Sequence, residues 1–213
     1  FNDGPGRGNQ GGNSYWADQF VEALWGDEYA DTHAPGYIST GVDWRVSPDN
    51  LAYLSIREQS YVDQEIDESN IAWIREIQAG VEAALAAGED LYREPPNDDG
   101  AAGANDAASP IAADVYLLTH PSCGSSCLDF ADRMLMMENV THIGYPTMSD
   151  TSYNDVRRAP SPSGEAMLVL PLKVYRGRPR ASGQYYTPEH RYDGLDWSDA
   201  ALEAWVFDLI DSR

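Results

Sequence analysis

The sequence has little positive charge and almost no lysine. Its 213 residues include 35 acidic side chains against 14 basic ones, thirteen Arg and the single Lys173, so the formal net charge is −21. Such a surface repels nucleic acid and anionic membranes, and both are therefore disfavoured as partners. The acidic excess is typical of a solvating surface, and the lone lysine is a candidate for a specific task.

Long apolar runs, clustered metal ligands and a cysteine framework are also lacking. No stretch of about 18 apolar residues occurs, so we predict no membrane-spanning helix. The four His are scattered without zinc spacing, and we expect neither a metal nor another cofactor. Only Cys123 and Cys127 are present. Two packed thiols are the favoured state, and a disulfide is geometrically possible but strained if the second cysteine is helical.

What is present predicts one globular domain covering residues 1–213. Hydrophobic residues make up 42% of the chain, with thirteen Tyr and six Trp, enough for a sizeable core. Residues 94–110 are rich in Pro, Asn, Asp, Gly and Ala and predict a mobile surface loop. This loop separates a helical first half from a second half that carries strands.

Apolar periodicity and capping signals predict the individual elements. Five helices are predicted. The first ends at Gly26, the second begins after a Ser47 cap, and the third runs from about Ser69 to Leu91. The fourth follows Pro121, and the fifth begins after a Ser198 cap. The last of these presents an apolar face of Ala201, Leu202, Trp205, Val206, Leu209 and Ile210. The predicted strands are 115–118, 140–144 and 166–175, the last interrupted by Pro171, which indicates an edge position or a bulge. Residues 27–46 are predicted as loop with a short extended piece, and residues 148–165 as loop.

The stretch from Asp114 to Met137 is the most informative part of the sequence. It predicts a buried strand, a turn of small residues and then an amphipathic helix, with Ser125 or Ser126 at the helix N-terminus. Backbone N–H groups and the helix dipole favour negative charge there. A serine alkoxide and the oxyanion of a tetrahedral intermediate would both be stabilised at such a position. The alternative interpretation is that the serine simply caps the helix.

Three segments occur in an order that matches a known family. They are residues 7–13 (Arg-Gly-Asn-Gln-Gly-Gly-Asn), 125–131 (Ser-Ser-Cys-Leu-Asp-Phe-Ala) and 143–147 (Ile-Gly-Tyr-Pro-Thr). In this order they resemble motifs of the C-terminal processing, or tail-specific, serine peptidases. The resemblance implies an α/β fold of the ClpP/crotonase type, a spiral of β-β-α units, and hydrolysis of peptide bonds. It also implies a periplasmic or extracellular location.

Carried over residue by residue, the resemblance implies that Ser125 is the nucleophile. The amide of Ser126 and an amide from the Gly11–Gly12 turn would form the oxyanion hole. The family's general-base lysine is missing, since Asp150 stands in its place after Pro-Thr. Three residues could supply the base: Lys173, His142 and His120, with Asp150 orienting whichever is used.

Because the chain starts at the family's glycine turn, we expect it to be part of a larger peptidase domain. Two functions are compatible with these features. One is a serine peptidase acting on a peptide or protein. The other is a catalytically inactive relative that binds peptides or a partner protein. The sequence leaves the oligomeric state open.

Overall fold

The protein is described by a computed structural model that covers residues 14–34, 41–95, 108–178 and 180–212. The helices are α1 (Ser14–Trp25), α2 (Asp27–His33), α3 (Pro48–Asp63), α4 (Glu68–Ala87), α5 (Ser126–Met134) and α6 (Asp199–Asp211). The strands are β1 (Val42–Arg45), β2 (Leu91–Arg93), β3 (Val115–Thr119), β4 (Val140–Gly144), β5 (Tyr153–Pro160), β6 (Met167–Tyr175) and β7 (His190–Arg191). This mixed composition agrees with the predicted α/β class.

The chain forms two compact units. Unit 1 comprises Phe1–Tyr37, Gly100–Asp150 and Ser182–Arg213, and unit 2 comprises Ile38–Asp99 and Thr151–Ala181. Each unit has its own sheet, and each sheet combines strands from distant parts of the sequence. No helix in the described part of the chain has the length and apolar character needed to cross a membrane.

Unit 1 contains a parallel sheet with strand order β3-β4-β7. The first two strands are connected through α5, which is the usual way to join parallel neighbours. Helix α1 packs against α5, and Phe20 meets Phe130 edge to face with ring centroids 5.6 Å apart. The buried core of the unit consists of Val21, Trp25, Tyr29, Ala30, Ala34, Leu117, Ala131, Met134 and Met137.

Unit 2 contains an antiparallel sheet with strand order β2-β1-β6-β5 and the helix pair α3–α4. Ser47 caps α3 as predicted, because its hydroxyl accepts a hydrogen bond from the Asn50 amide. Helix α4 begins after Asp67 and ends at Gly88, which adopts the left-handed conformation at φ 75°. The buried core consists of Val42, Trp44, Leu54, Ile74, Ile77, Val81 and Leu172.

Several predicted boundaries are wrong. Residues 27–33 form α2 instead of loop, although the short extended piece exists as β1. Residues 153–160, predicted as loop, form β5, because they pair along β6 despite two consecutive arginines and little periodicity. Helix α4 ends before Leu91, which starts β2 instead. Most of the loop predicted at 94–110 lies outside the described residues.

Two further predictions are refined by the structure. Strand β6 is an interior strand, but it pairs with β1 only through residues 173–175, so Pro171 lies where β6 pairs with β5 alone. The missing amide hydrogen of Pro171 is therefore tolerated much as at an edge. Helix α6 starts after the Ser198 cap as predicted, yet within it only Leu202 is buried, and Ile210 is 42% exposed.

Candidate active site

The connection between β3 and α5 places Ser125 in an unusual backbone conformation. Ser125 stands at the N-cap position of α5 with φ 56° and ψ −127°. A non-glycine residue rarely adopts positive φ, and such strain costs of order 1–3 kcal/mol. The side chain is exposed, and its hydroxyl makes no capping hydrogen bond. The simple capping interpretation therefore does not account for this serine.

Ser125 lies on the side of unit 1 where α/β proteins usually bind ligands. In open α/β sheets, ligands bind outside the carboxyl ends of parallel strands. The Ser125 turn follows the carboxyl end of β3, and the segments that follow β4 and β7 leave the sheet at the same edge. The Met148 amide donates to the Cys123 carbonyl over 2.9 Å, which ties the segment after β4 to the serine turn.

Tyr186 forms hydrogen bonds both with α5 and with the residues after β4. The Thr147 amide donates to the Tyr186 carbonyl, and the Tyr186 amide donates to the Thr147 hydroxyl, each over 3.0 Å. The Tyr186 hydroxyl donates to Oδ1 of the buried Asp132 on α5 over 2.6 Å. Through Tyr186, these bonds connect the helix that follows Ser125 to the segment that follows β4.

Cys123 and Cys127 form a disulfide, with Cα atoms 5.2 Å apart. The expectation of two packed thiols is therefore wrong. The physical reason is that the turn before α5 brings the two Cα atoms to a separation that is usual for a disulfide. Ser125 is the middle residue of the segment that the bridge encloses.

His142 lies buried on β4 and is hydrogen-bonded inside unit 1. The Thr119 hydroxyl donates to the Tyr145 carbonyl over 2.6 Å, so it accepts from Nε2 of His142 over 2.8 Å. Burial lowers the pKa of His142 below 6.5, and a backbone bond with Thr187 together with the charge of Glu189 only partly opposes this. Nε2 of His142 thus serves as a donor to Thr119 on β3.

His120 belongs to the same turn as Ser125 but contacts a different serine. Its Nδ1 accepts the Ser122 amide over 3.2 Å and lies 2.7 Å from the Ser122 hydroxyl. In the neutral ring the proton is therefore on Nε2. The ring also meets Trp197 edge to face with centroids 4.6 Å apart. Sequence reasoning missed Ser122, and its spacing of two residues from His120 was the available signal.

Lys173 lies in unit 2, where its ammonium is held by charge and aromatic rings. Nζ is 2.8 Å from Oδ2 of Asp155 and 5.0 to 5.9 Å from the ring centroids of Trp44, Trp73 and Tyr175. Both the carboxylate and the ring faces attract the ammonium group. This arrangement is that of a structural ion pair, and it gives the single lysine of the sequence a specific task in unit 2.

Of the remaining predicted site residues, the structure describes Ser126 and Asp150. Gly11 and Gly12 lie outside the described residues. Ser126 is the first residue of α5, immediately after Ser125. Asp150 ends the segment after β4, and its carbonyl accepts the Gly183 amide over 2.7 Å. Within the described ranges, no group of three or more His, Cys, Asp or Glu could hold a metal ion.

Comparison with known proteins gives only distant similarity. No protein-family model and no curated protein matches the sequence. The chain is similar to mature CPAF, with a TM-score of 0.39 and 8% identity over 85% of this chain. It is also similar to a lipoprotein from Streptococcus agalactiae, with a TM-score of 0.28 and 12% identity over 57% of this chain.

The chain spans less than half of each of these structures, covering 43% of CPAF and 42% of the lipoprotein. Similarity at this level assigns neither a family nor a catalytic residue.

Proposed function

We propose that the protein is a serine hydrolase that cleaves peptide bonds with Ser125 as the nucleophile. The observation that carries the proposal is the state of Ser125 itself. The residue is exposed, its hydroxyl makes no capping hydrogen bond, and its backbone has positive φ on a strand–turn–helix connection. Strained backbone of this kind is concentrated at active sites, where it aims a reactive group.

The oxyanion hole is proposed at the start of α5. The Ser126 amide is the first of α5 and follows Ser125 directly, which is the position that the resemblance to tail-specific peptidases implies for one donor. A second amide would come from the Gly11–Gly12 turn, as the resemblance to tail-specific peptidases implies. Removing one such donor typically costs about 3 kcal/mol of transition-state stabilisation.

The substrate class, fold family and location follow the same resemblance. We propose a peptide or protein substrate and a ClpP/crotonase-like spiral of β-β-α units. We also propose that the protein acts outside the cytoplasm. The Cys123–Cys127 disulfide supports this, because disulfides persist mainly in oxidising compartments.

An active-site fluorophosphonate probe tests the nucleophile. The wild-type protein is expected to be labelled, and Ser125→Ala is expected to lose labelling together with casein hydrolysis. Ser122→Ala is the matched control, because it removes a hydroxyl from the same turn. Labelling of Ser125→Ala at the wild-type rate would refute the proposal. Loss of labelling in Ser122→Ala alone would assign the nucleophile to Ser122.

The same assay assigns the general base among three candidates. His120→Gln and His142→Gln each remove one imidazole, and the variant that lacks the base should lose labelling while circular dichroism shows that it is still folded at the assay temperature. Lys173→Arg keeps a cation for Asp155 but cannot act as a base at neutral pH. Full labelling of Lys173→Arg would therefore leave Lys173 with a structural role only.

The second candidate function is a catalytically inactive relative that binds peptides or a partner protein. It is favoured by the existing contacts of the predicted bases, since Lys173 is ion-paired and His142 donates from Nε2. A folded wild-type protein that is never labelled, at any pH between about 6 and 9, would support this alternative. That range covers the pH at which a histidine or an activated lysine is neutral.

A further inference from the structure

The disulfide encloses Ser125 symmetrically. Cys123 and Cys127 are separated by four positions, and Ser125 is the residue midway between them. The bridge therefore closes a short ring of backbone whose centre is the strained serine. Since the sequence contains two cysteines in total, this bridge uses both of them at the proposed nucleophile.

Both ends of the bridge are fixed to other parts of unit 1. Cys123 is 4% exposed, its amide donates to the His120 carbonyl, and its carbonyl accepts the Met148 amide, each over 2.9 Å. Cys127 is on the first turn of α5, whose Leu128 is completely buried. The disulfide thus joins the turn after β3, which hydrogen bonds hold in place, to helix α5, which is packed in the core of unit 1.

Ser125 needs such support because a serine does not hold this backbone conformation unaided. A residue at positive φ persists only where the surrounding structure over-determines it. Two hydrogen bonds reach the Ser125 carbonyl, from the amides of Leu128 at 2.7 Å and Asp129 at 3.2 Å. Both belong to the start of α5, so they fix the helix end of the turn and not its strand end. The Cys127 amide donates to the Gly124 carbonyl over 3.2 Å, and the disulfide adds the covalent restraint that connects the two ends.

We propose that the Cys123–Cys127 disulfide is the positioning device for Ser125, and that hydrolysis requires the oxidised form. The inference rests on the proposed function of Ser125. A dithiol reductant would convert the bridge into two thiols, transferring two electrons and two protons while its own sulfurs become a disulfide. The turn would then relax, and the hydroxyl would no longer be aimed. A thiol-rich compartment would keep the protein inactive in this way.

The test compares fluorophosphonate labelling of oxidised protein with protein treated with dithiothreitol and desalted. The maximal labelling rate is expected to fall by about tenfold or more on reduction, the scale expected for a misplaced reacting group. The probe concentration for half-maximal rate should change little. Reoxidation with glutathione disulfide should restore the rate, and Cys123→Ala/Cys127→Ala should be slow under both conditions. Equal rates for oxidised and reduced protein would overturn the inference.

Hydrogen exchange separates failure of this inference from failure of the proposed function. If oxidised protein is not labelled at all, the proposed function fails, and the amides of residues 125–129 still report on the turn. Faster exchange there on reduction, with exchange in unit 2 unchanged, supports the positioning role. Unchanged exchange at residues 125–129 overturns it. This measurement needs only the wild-type protein, so it does not depend on whether the double variant folds.

Discussion

At the scale of single residues, His142 and Asp155 make the stability of the protein depend on pH in two separate ranges. Burial lowers the pKa of His142 below 6.5. Burial raises the pKa of Asp155, but Lys173 and Arg57 outweigh this and hold that pKa below 3.8. Stability contributed by Asp155 is therefore present above about pH 4 and lost below it, whereas His142 acts at higher pH.

We predict that unit 1 loses stability as the pH falls below about 6.5, because the unfolded chain then binds a proton that folded His142 resists. The contribution is complete above pH 6.5 and is lost as pH falls toward the lowered pKa. The slope is up to about 1.4 kcal/mol per pH unit. Urea unfolding at several pH values between 7.5 and 5 measures it.

His142→Gln is the comparison that assigns this slope. Glutamine does not titrate, so the variant should be less stable than wild type at pH 7.5 but should lose less on acidification. Because Asp155 titrates below pH 4, it does not contribute to this range. Identical slopes for the variant and the wild type would show that His142 is not the group responsible.

At the scale of elements, β3 and β4 approach each other so closely beside the serine turn that position 144 has no room for a side chain. Gly144 ends β4 at φ 102°, and a Cβ on it would lie 2.5 Å from the Thr119 backbone oxygen. Because that oxygen belongs to the backbone, a side-chain rotation could not relieve the overlap. The Thr119 carbonyl accepts the Tyr145 amide over 2.9 Å, so displacement of β4 would also disturb this bond.

We predict that Gly144→Ala is markedly more destabilising than Gly183→Ala. Gly183 has φ 81°, and no described atom lies within 4 Å of the place that a Cβ would take, so its substitution measures only the cost of positive φ in alanine, about 1–2 kcal/mol. Gly144→Ala adds the overlap with β3, worth about 1–3 kcal/mol more. Thermal unfolding of both variants measures the difference. Equal losses would mean that the strands separate without cost.

At the scale of the whole molecule, the formal charge of −21 is the dominant property. With 35 acidic side chains and 14 basic ones, 21 acidic side chains are left over if each basic group pairs with one of them. Self-repulsion of unpaired charges destabilises a compact state, and salt screens it over a distance of about 10 Å at 0.1 M. The excess of acidic residues therefore influences stability, whereas it gives no information about the proposed hydrolysis.

We predict that sodium chloride raises the melting temperature at pH 7.5. Between about 0.05 and 0.5 M salt, a gain of 1 kcal/mol would raise it by about 2–4 °C. The control is the same titration at pH 4.2, the sequence isoelectric point, where net repulsion is absent and the effect should nearly vanish. A melting temperature that falls with salt at pH 7.5 would show that specific ion pairs outweigh the net charge.

The sequence by itself determined the elements that depend on local chemistry. Ser47 and Ser198 indicated two helices because a hydroxyl three residues before an amide can cap it. Gly26 marked the end of α1, and the apolar run at 115–118 marked β3. For the site, the sequence located Ser125 between a strand and a helix, since those signals also lie within a few residues of it.

Only the tertiary structure decided what each candidate residue does. Lys173 pairs with Asp155 across two strands, and His142 with Thr119 from 23 positions away, and no local pattern encodes such partners. The serine's positive φ and the bond between Cys123 and Cys127 depend on how β3 and α5 are anchored. Periodicity and capping are short-range properties of the chain, whereas partners and backbone strain are set by packing between distant segments.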